Sequence, residues 1–165
     1  MRRRIFLSAS LAALAVPAAA LAASTAPGDG TLVVRNGSAP KGTPVVTLVI
    51  RGAAIGQVTG AGKILISDET PDDGFTPEVT GSDWHKDKGE DGMLWGGAGF
   101  RFRAVGGLYK ITIYGSGVDL VASGRGTAFL TGSAEAPNRD GVYSLNGGDF
   151  RSLPAQSTRQ LTIGG

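Results

Sequence analysis

The apolar residues of this chain recur at every second position in short runs, and glycine, proline or asparagine bounds each run. Leu32 and Val34 share one face, as do Val46, Leu48 and Ile50, and then Ile64 and Ile66. Phe100, Phe102 and Ala104 follow, then Tyr109, Ile111 and Ile113, then Val118, Leu120 and Ala122. A period of two marks a strand with one buried face, because successive strand side chains point to opposite sides. No window beyond residue 22 carries an i, i+3, i+4, i+7 apolar stripe long enough for a helix. The 27 glycines, with valine, isoleucine and threonine between them, predict short strands joined by many tight turns. The expected fold is all-β: an antiparallel β-sandwich or barrel of about 8–10 short strands.

An internal repeat refines that expectation. Thr47-Leu-Val-Ile-Arg-Gly52 aligns with Lys110-Ile-Thr-Ile-Tyr-Gly115, and Ile55-Gly-Gln-Val58 with Val118-Asp-Leu-Val121. With one residue inserted, Gly60-Ala-Gly62 falls on Gly124-Arg-Gly126 and Ile64-Leu-Ile66 on Ala128-Phe-Leu130. A proline loop ending in Asp-Gly follows each copy, at Pro71–Gly74 and at Pro137–Gly141. A unit of this length is too small to bury a face alone, so in an internal duplication the two copies would pack against each other as a sandwich or share one closed barrel. Arg159–Ile163 is then expected as a closing strand.

The first 22 residues stand apart. Met1-Arg-Arg-Arg4 precedes an alanine-rich apolar run to Val16, and Ala20-Leu21-Ala22 fits the small-x-small pattern of a signal peptidase site. Arg3-Arg-Ile-Phe-Leu7 matches the R-R-x-F-L core of twin-arginine export signals. The run is shorter than the roughly 20 apolar residues of a spanning helix. The expected organisation is a cleaved signal peptide over 1–22, a flexible lead-in over 23–30 and one all-β domain over 31–165. The expected compartment is the periplasm, cell envelope or exterior, with no membrane span in the mature chain.

Cleavage also changes the charge argument. Three of the sixteen basic residues and none of the fourteen acidic ones lie in the signal, so the mature chain carries thirteen against fourteen, a net of −1. The alkaline whole-chain pI therefore argues for no nucleic-acid partner. Residues 68–91 hold nine carboxylates against Lys86 and Lys88, a net of −7, within a mildly basic frame. The chain has no cysteine, so its fold rests on core burial and it offers no thiol chemistry.

This layout, from the export label through Asp140-Gly-Val-Tyr-Ser-Leu-Asn-Gly147 to Ser152-Leu-Pro154, resembles a group of small exported all-β proteins of high-GC bacteria. That group carries no assigned activity. The resemblance therefore implies a fold and a compartment, and no catalytic residue.

Two segments hold chemistry. Asp83-Trp-His-Lys-Asp-Lys-Gly-Glu-Asp-Gly92 contains the only histidine and four carboxylates. Asp83, Asp87, Glu90 and Asp91 are oxygen donors of the kind calcium takes from flexible loops, although His85 and Lys88 stand where an EF-hand loop needs a carboxylate and a glycine. Zinc would need more nitrogen or sulfur donors than the lone His85 supplies. Arg101 and Arg103 alternate with Phe100 and Phe102; if the next strand pairs with them as a hairpin, Lys110, Thr112 and Tyr114 share their face. Arg101, Arg103 and Tyr114 then form a basic, aromatic-flanked surface able to hold an anionic glycan or nucleic acid, or a solvated sheet face whose arginine stems cover the aromatics. Asp68-Glu-Thr-Pro-Asp-Asp-Gly74 could pair a carboxylate with the 83–92 segment for glycoside hydrolysis, but nothing singles out such a pair, and Asp72-Asp73-Gly74 reads more simply as turn chemistry. No Gly-x-Ser-x-Gly elbow is present, and Gly115-Ser-Gly117 is expected to be a hairpin loop.

The expected function is a non-enzymatic binding or structural module of the envelope, with an envelope component or glycan as partner and no cofactor beyond calcium. The alternatives are a small-ligand or calcium carrier using loop 83–91, and an enzyme acting on a cell-surface polymer. Replacing the arginine pair (Arg3→Lys with Arg4→Lys) is expected to retain the precursor in the cytoplasm, read by cell fractionation; undiminished export would show an ordinary secretory route.

Overall fold

One face of the chain from Val46 to Asp68 stays inward along its whole length. Val46, Leu48, Ile50, Ala54, Val58, Ile64 and Ile66 are all buried and all even-numbered, with Gly52, Gly56, Gly60 and Gly62 at the even positions between them. These 23 residues form a single strand rather than two or three short ones. The computed structural model describes residues 26–133, 141–155 and 157–165. The export segment 1–22, residues 23–25 of the lead-in and Pro137–Asp140 of the second proline loop lie outside them.

Among the described residues, nine strands form one antiparallel sheet. They are β1 (Gly30–Gly37), β2 (Val46–Asp68), β3 (Glu78–Thr80), β4 (Trp84–Asp87), β5 (Met93–Gly115), β6 (Val118–Thr131), β7 (Val142–Leu145), β8 (Arg151–Ser152) and β9 (Thr158–Ile163). The order is β3-β5-β2-β6-β1-β7-β8, with β4 added to β5 and β9 added to β6. The sheet is sandwich-like and does not close into a barrel. The described residues include no α-helix, and none is long and apolar enough to cross a membrane.

Three strands run through both layers. In one layer, the start of β2 lies between the end of β5 and the end of β6: Leu48 pairs with Ile111 and with Ala128. In the other, the middle of β2 lies between Phe100–Ala104 of β5 and Val118–Ala122 of β6. The last part of β2 then returns to the far side of β5, so Ile111 pairs with both Leu48 and Ile66, and Ile113 with both Val46 and Ile64. All of these apolar residues join one core with Leu32, Val34, Tyr109 and Ile163. Each fully buried side chain of this size contributes about 1.5–3 kcal/mol.

Glycine makes the passage between layers. Gly52 pairs with Gly124, with φ values of 144° and 139°. A Cβ on Gly52 would stand 2.2 Å from the Ser123 carbonyl oxygen, and one on Gly124 2.2 Å from that of Arg51. Around this pair the inward face is small, with Ala54 opposite Ala122 and Gly126 opposite Ile50, while Leu120 and Leu130 fill the ends. Beside it β5 holds a bulge: Arg51 faces Leu108 and Ala53 faces Val105, which leaves one extra residue on β5 at Gly106–Gly107. The bulge switches the buried phase of β5 from Phe100, Phe102 and Ala104 to Tyr109, Ile111 and Ile113.

Two expectations change here. The aligned repeat segments take different conformations: the first is β2 alone, the second the end of β5, the Ser116–Gly117 turn and β6. That turn is not a hairpin loop, because β2 lies between β5 and β6. Its carbonyls instead accept from β2, Ser116 from the Gly60 N–H and Gly117 from the Thr59 N–H, both at 3.0 Å. The expected closing strand is β9, and residues 26–29 are tied down by Arg125, which pairs with Asp29 at 3.3 Å and bonds the Pro27 carbonyl.

Gly52→Ala is expected to lower stability by about 3 kcal/mol or more, as left-handed strain and backbone collision act together. Gly42 also has positive φ (87°) but meets nothing within 4 Å, so Gly42→Ala is expected to cost only the strain, about 1–2 kcal/mol. Urea unfolding of the two variants measures the difference.

Candidate functional site

The acidic segment after β2 is built as a strap across the β5 bulge. The Glu69 N–H donates to the Leu108 carbonyl at 2.9 Å, and the Leu108 N–H donates to Thr70 Oγ1 at 3.1 Å. Thr70 Oγ1 in turn donates to Asp73 Oδ2 at 2.6 Å, and the Phe75 N–H donates to Asp73 Oδ1 at 2.9 Å. A 3-10 turn over Pro71–Asp73 ends at Gly74 with φ 82°. Aspartate accepting local backbone bonds and glycine at positive φ are the turn chemistry expected of these residue types. The strap lays the Phe75 ring on Gly106, where a Cβ would come within 2.5 Å of it.

Beyond Phe75 the chain enters β3, where Glu78 lies opposite Arg103 and Thr80 opposite Arg101. A cleft of about 380 Å³ opens between strap and sheet, lined by Gly74, Phe75, Thr76, Glu78, Arg103 and Val105. Phe75 is 48% exposed, large for an aromatic ring. The cleft thus combines an apolar wall with a guanidinium, a carboxylate and a hydroxyl, a mixture suited to a polar ligand with a hydrocarbon face.

Electrostatics stiffen the strap. Hydrogen bonds from the Thr70 hydroxyl and the Phe75 N–H, with the nearby Arg51 charge, hold the Asp73 carboxyl below the ordinary aspartate range. Beneath it, burial pushes the Tyr109 phenol up, and the Asp68 and Asp73 charges add to that shift. The Tyr109 hydroxyl donates to the Val105 carbonyl at 3.2 Å, fixing the cleft wall from inside.

The structure brings Arg101 and Arg103 together on one outward face and places Tyr114 elsewhere. All three lie on β5, but the bulge separates them, so the expected hairpin does not form and Tyr114 faces out from the other layer. There it carries Lys63, whose Nζ stands 4.5 Å above the ring. Trp84, 46% exposed, lies across Gly96 beside Lys63.

The four carboxylates of the expected calcium loop are spread out. Asp83 and Asp87 stand just before and at the end of β4, about 13 Å apart along an extended strand. Asp83 accepts from the Ala98 N–H at 3.3 Å and Asp87 from the Gly89 N–H at 2.7 Å. Glu90 and Asp91 sit in an exposed 3-10 turn. Among the described residues no group of three or more His, Cys, Asp or Glu side chains converges on a metal position.

Phe75, Thr76 and Glu78 carried no mark in the sequence. The usable signal was an aromatic directly after Asp72-Asp-Gly74, a turn after which the ring comes to lie on Gly106 of β5. The chain matches no protein-family model, no curated protein and no solved structure at a significant level.

Because the folded-state pKa of Asp73 is depressed, its hydrogen bonds persist above the ordinary aspartate value of 3.8 and are lost as pH falls through the folded value. An NMR titration is expected to show the Phe75 amide moving with a midpoint below 3.8. In Asp73→Ala that transition is expected to vanish and Phe75 to become more mobile.

Proposed function

We propose that this protein is an exported, non-enzymatic module that binds an anionic glycan of the bacterial envelope through the Phe75–Arg103 cleft. One observation carries the reading: Arg101 and Arg103 share an outward sheet face that opens directly onto a cleft walled by a half-exposed aromatic ring. Sugar rings present apolar faces to aromatic side chains, and carboxylated or phosphorylated sugars meet guanidinium forks bidentately. Glu78 accepts hydroxyl hydrogens beside them. A rigid sheet positions the arginines, and the hydrogen-bonded strap positions the ring.

Export follows the same reading. The amino-terminal arginines and apolar run provide the address, and a fold without disulfides needs no oxidative step outside the cytoplasm.

Co-sedimentation with purified peptidoglycan sacculi carrying their anionic polymers tests the proposal. Binding is expected at low salt, to weaken as salt rises, and to fall about tenfold in Arg101→Ala with Arg103→Ala. Phe75→Ala is expected to weaken it comparably, and Tyr114→Ala to leave it unchanged. Sedimentation that is absent at low salt, or indifferent to all of these changes, refutes the reading.

A further inference from the structure

The opposite edge of the molecule holds a second cleft of different chemistry. In one layer β7 pairs with β1, setting Leu145 opposite Leu32 and Tyr143 opposite Val34. In the other β9 pairs with β6, setting Leu161 opposite Ala128 and Arg159 opposite Leu130. Directly paired residues project to the same side of a sheet. Leu32, Val34, Ala128 and Leu130 are core residues, so Tyr143, Leu145, Leu161 and Arg159 all face inward. Arg151 on β8 lies opposite Tyr143 and faces inward too. The two layers part at this edge, and the gap is a cleft of about 180 Å³.

Burial grades across it. Tyr143 is buried and Leu145 and Leu161 half-buried, whereas Arg151, Arg159 and Asp149 are exposed at the rim. Two outermost strands thus each send an arginine from their core-facing side to one mouth. Neither arginine forms an ion pair with a described carboxylate, and two guanidiniums face the single Asp149. The wall on the β7–β8 side is braced: Ser144 Oγ donates to the Gly148 carbonyl, the Gly148 N–H to the Leu145 carbonyl at 3.0 Å, and Arg35 stacks on Phe150 at 4.7 Å.

We infer that this cleft binds a small amphipathic carboxylate, its hydrocarbon tail against Tyr143, Leu145 and Leu161 and its carboxylate between Arg151 and Arg159. The volume is below the ~300–1,000 Å³ of drug-sized sites, which suits one unbranched alkyl tail rather than a ring system. Planar guanidinium forks suit a carboxylate, and the apolar lining gives the tail a place that water leaves readily. Inward-pointing charge on an edge strand also discourages edge-to-edge aggregation, and that role predicts no ligand. The site is independent of the Phe75–Arg103 cleft, so either can fail alone.

An NMR titration of the ¹⁵N-labelled protein with sodium octanoate, octan-1-ol and sodium acetate decides between them. Octanoate is expected to shift the Tyr143, Leu145 and Leu161 amides saturably while those of Phe75 and Arg103 stay in place. The tail-less acetate and the uncharged alcohol are each expected to bind at least about tenfold more weakly. Arg151→Ala with Arg159→Ala is expected to weaken octanoate about tenfold with amide dispersion retained. Arg151→Lys, which keeps the charge and the fold but loses the fork, is expected to weaken it several-fold. No saturable shift at millimolar octanoate, or equal binding of the alcohol, overturns the inference. So does unchanged binding in the variants; self-association appearing in them would then identify the arginines as edge guards.

Discussion

The whole structure depends on bringing backbones into contact where long strands pass from one layer to the other. At Gly52 and Gly124 each backbone occupies the space where the other's side chain would be, and both residues adopt φ values that L side chains avoid. With glycine at both positions, β2 and β6 keep an unbroken ladder while the sheet folds over. A strand that stopped at the corner would expose unpaired N–H and C=O groups inside the core, which is costly. Continuity through glycine avoids that cost and lets a single sheet enclose its own apolar face.

That continuity explains how a cysteine-free chain holds its shape. The inward faces of β2 and β6 are large at the ends and small in the middle, so the bends come together while leucine, isoleucine and valine fill the space on either side. The β5 bulge has a second consequence. By shifting phase it turns Arg101 and Arg103 outward in one layer and Lys110 and Tyr114 outward in the other. It also creates the glycine platform on which Phe75 rests. The candidate binding cleft is a by-product of the same corner that closes the fold.

Much of the core was legible in advance. Leu32, Val34, Val46, Leu48, Ile50, Ile64, Ile66, Phe100, Phe102, Ala104, Tyr109, Ile111, Ile113, Val118, Leu120 and Ala122 alternate along their runs, and all are buried. Strand ends were less legible because glycine has two uses that look alike in a sequence. In Pro71-Asp-Asp-Gly74 it ends a turn, whereas at Gly52, Gly106 and Gly124 it bends a strand that continues. The repeat misled for the same reason, since similar residue patterns serve a continuous strand in one place and a crossing turn in the other. Of the candidate site, the two arginines were visible through their alternation with phenylalanine; Phe75 and Glu78 were not, because they reach the site through a strap whose path depends on β5.

By itself the sequence determined the all-β class, the inward faces and the reliance on core burial, because side-chain alternation along a strand is local and its period is set by backbone geometry. It also determined that the acidic residues cluster in one stretch. Only the tertiary structure decided which strands are neighbours, that β2 lies between β5 and β6, and that Tyr114 stands apart from Arg101 and Arg103. It alone brought Arg151 and Arg159 to one mouth from strands that share no ladder. Pairing partners depend on where the sheet folds, and that depends on contacts between backbones far apart in the chain, which no local period records.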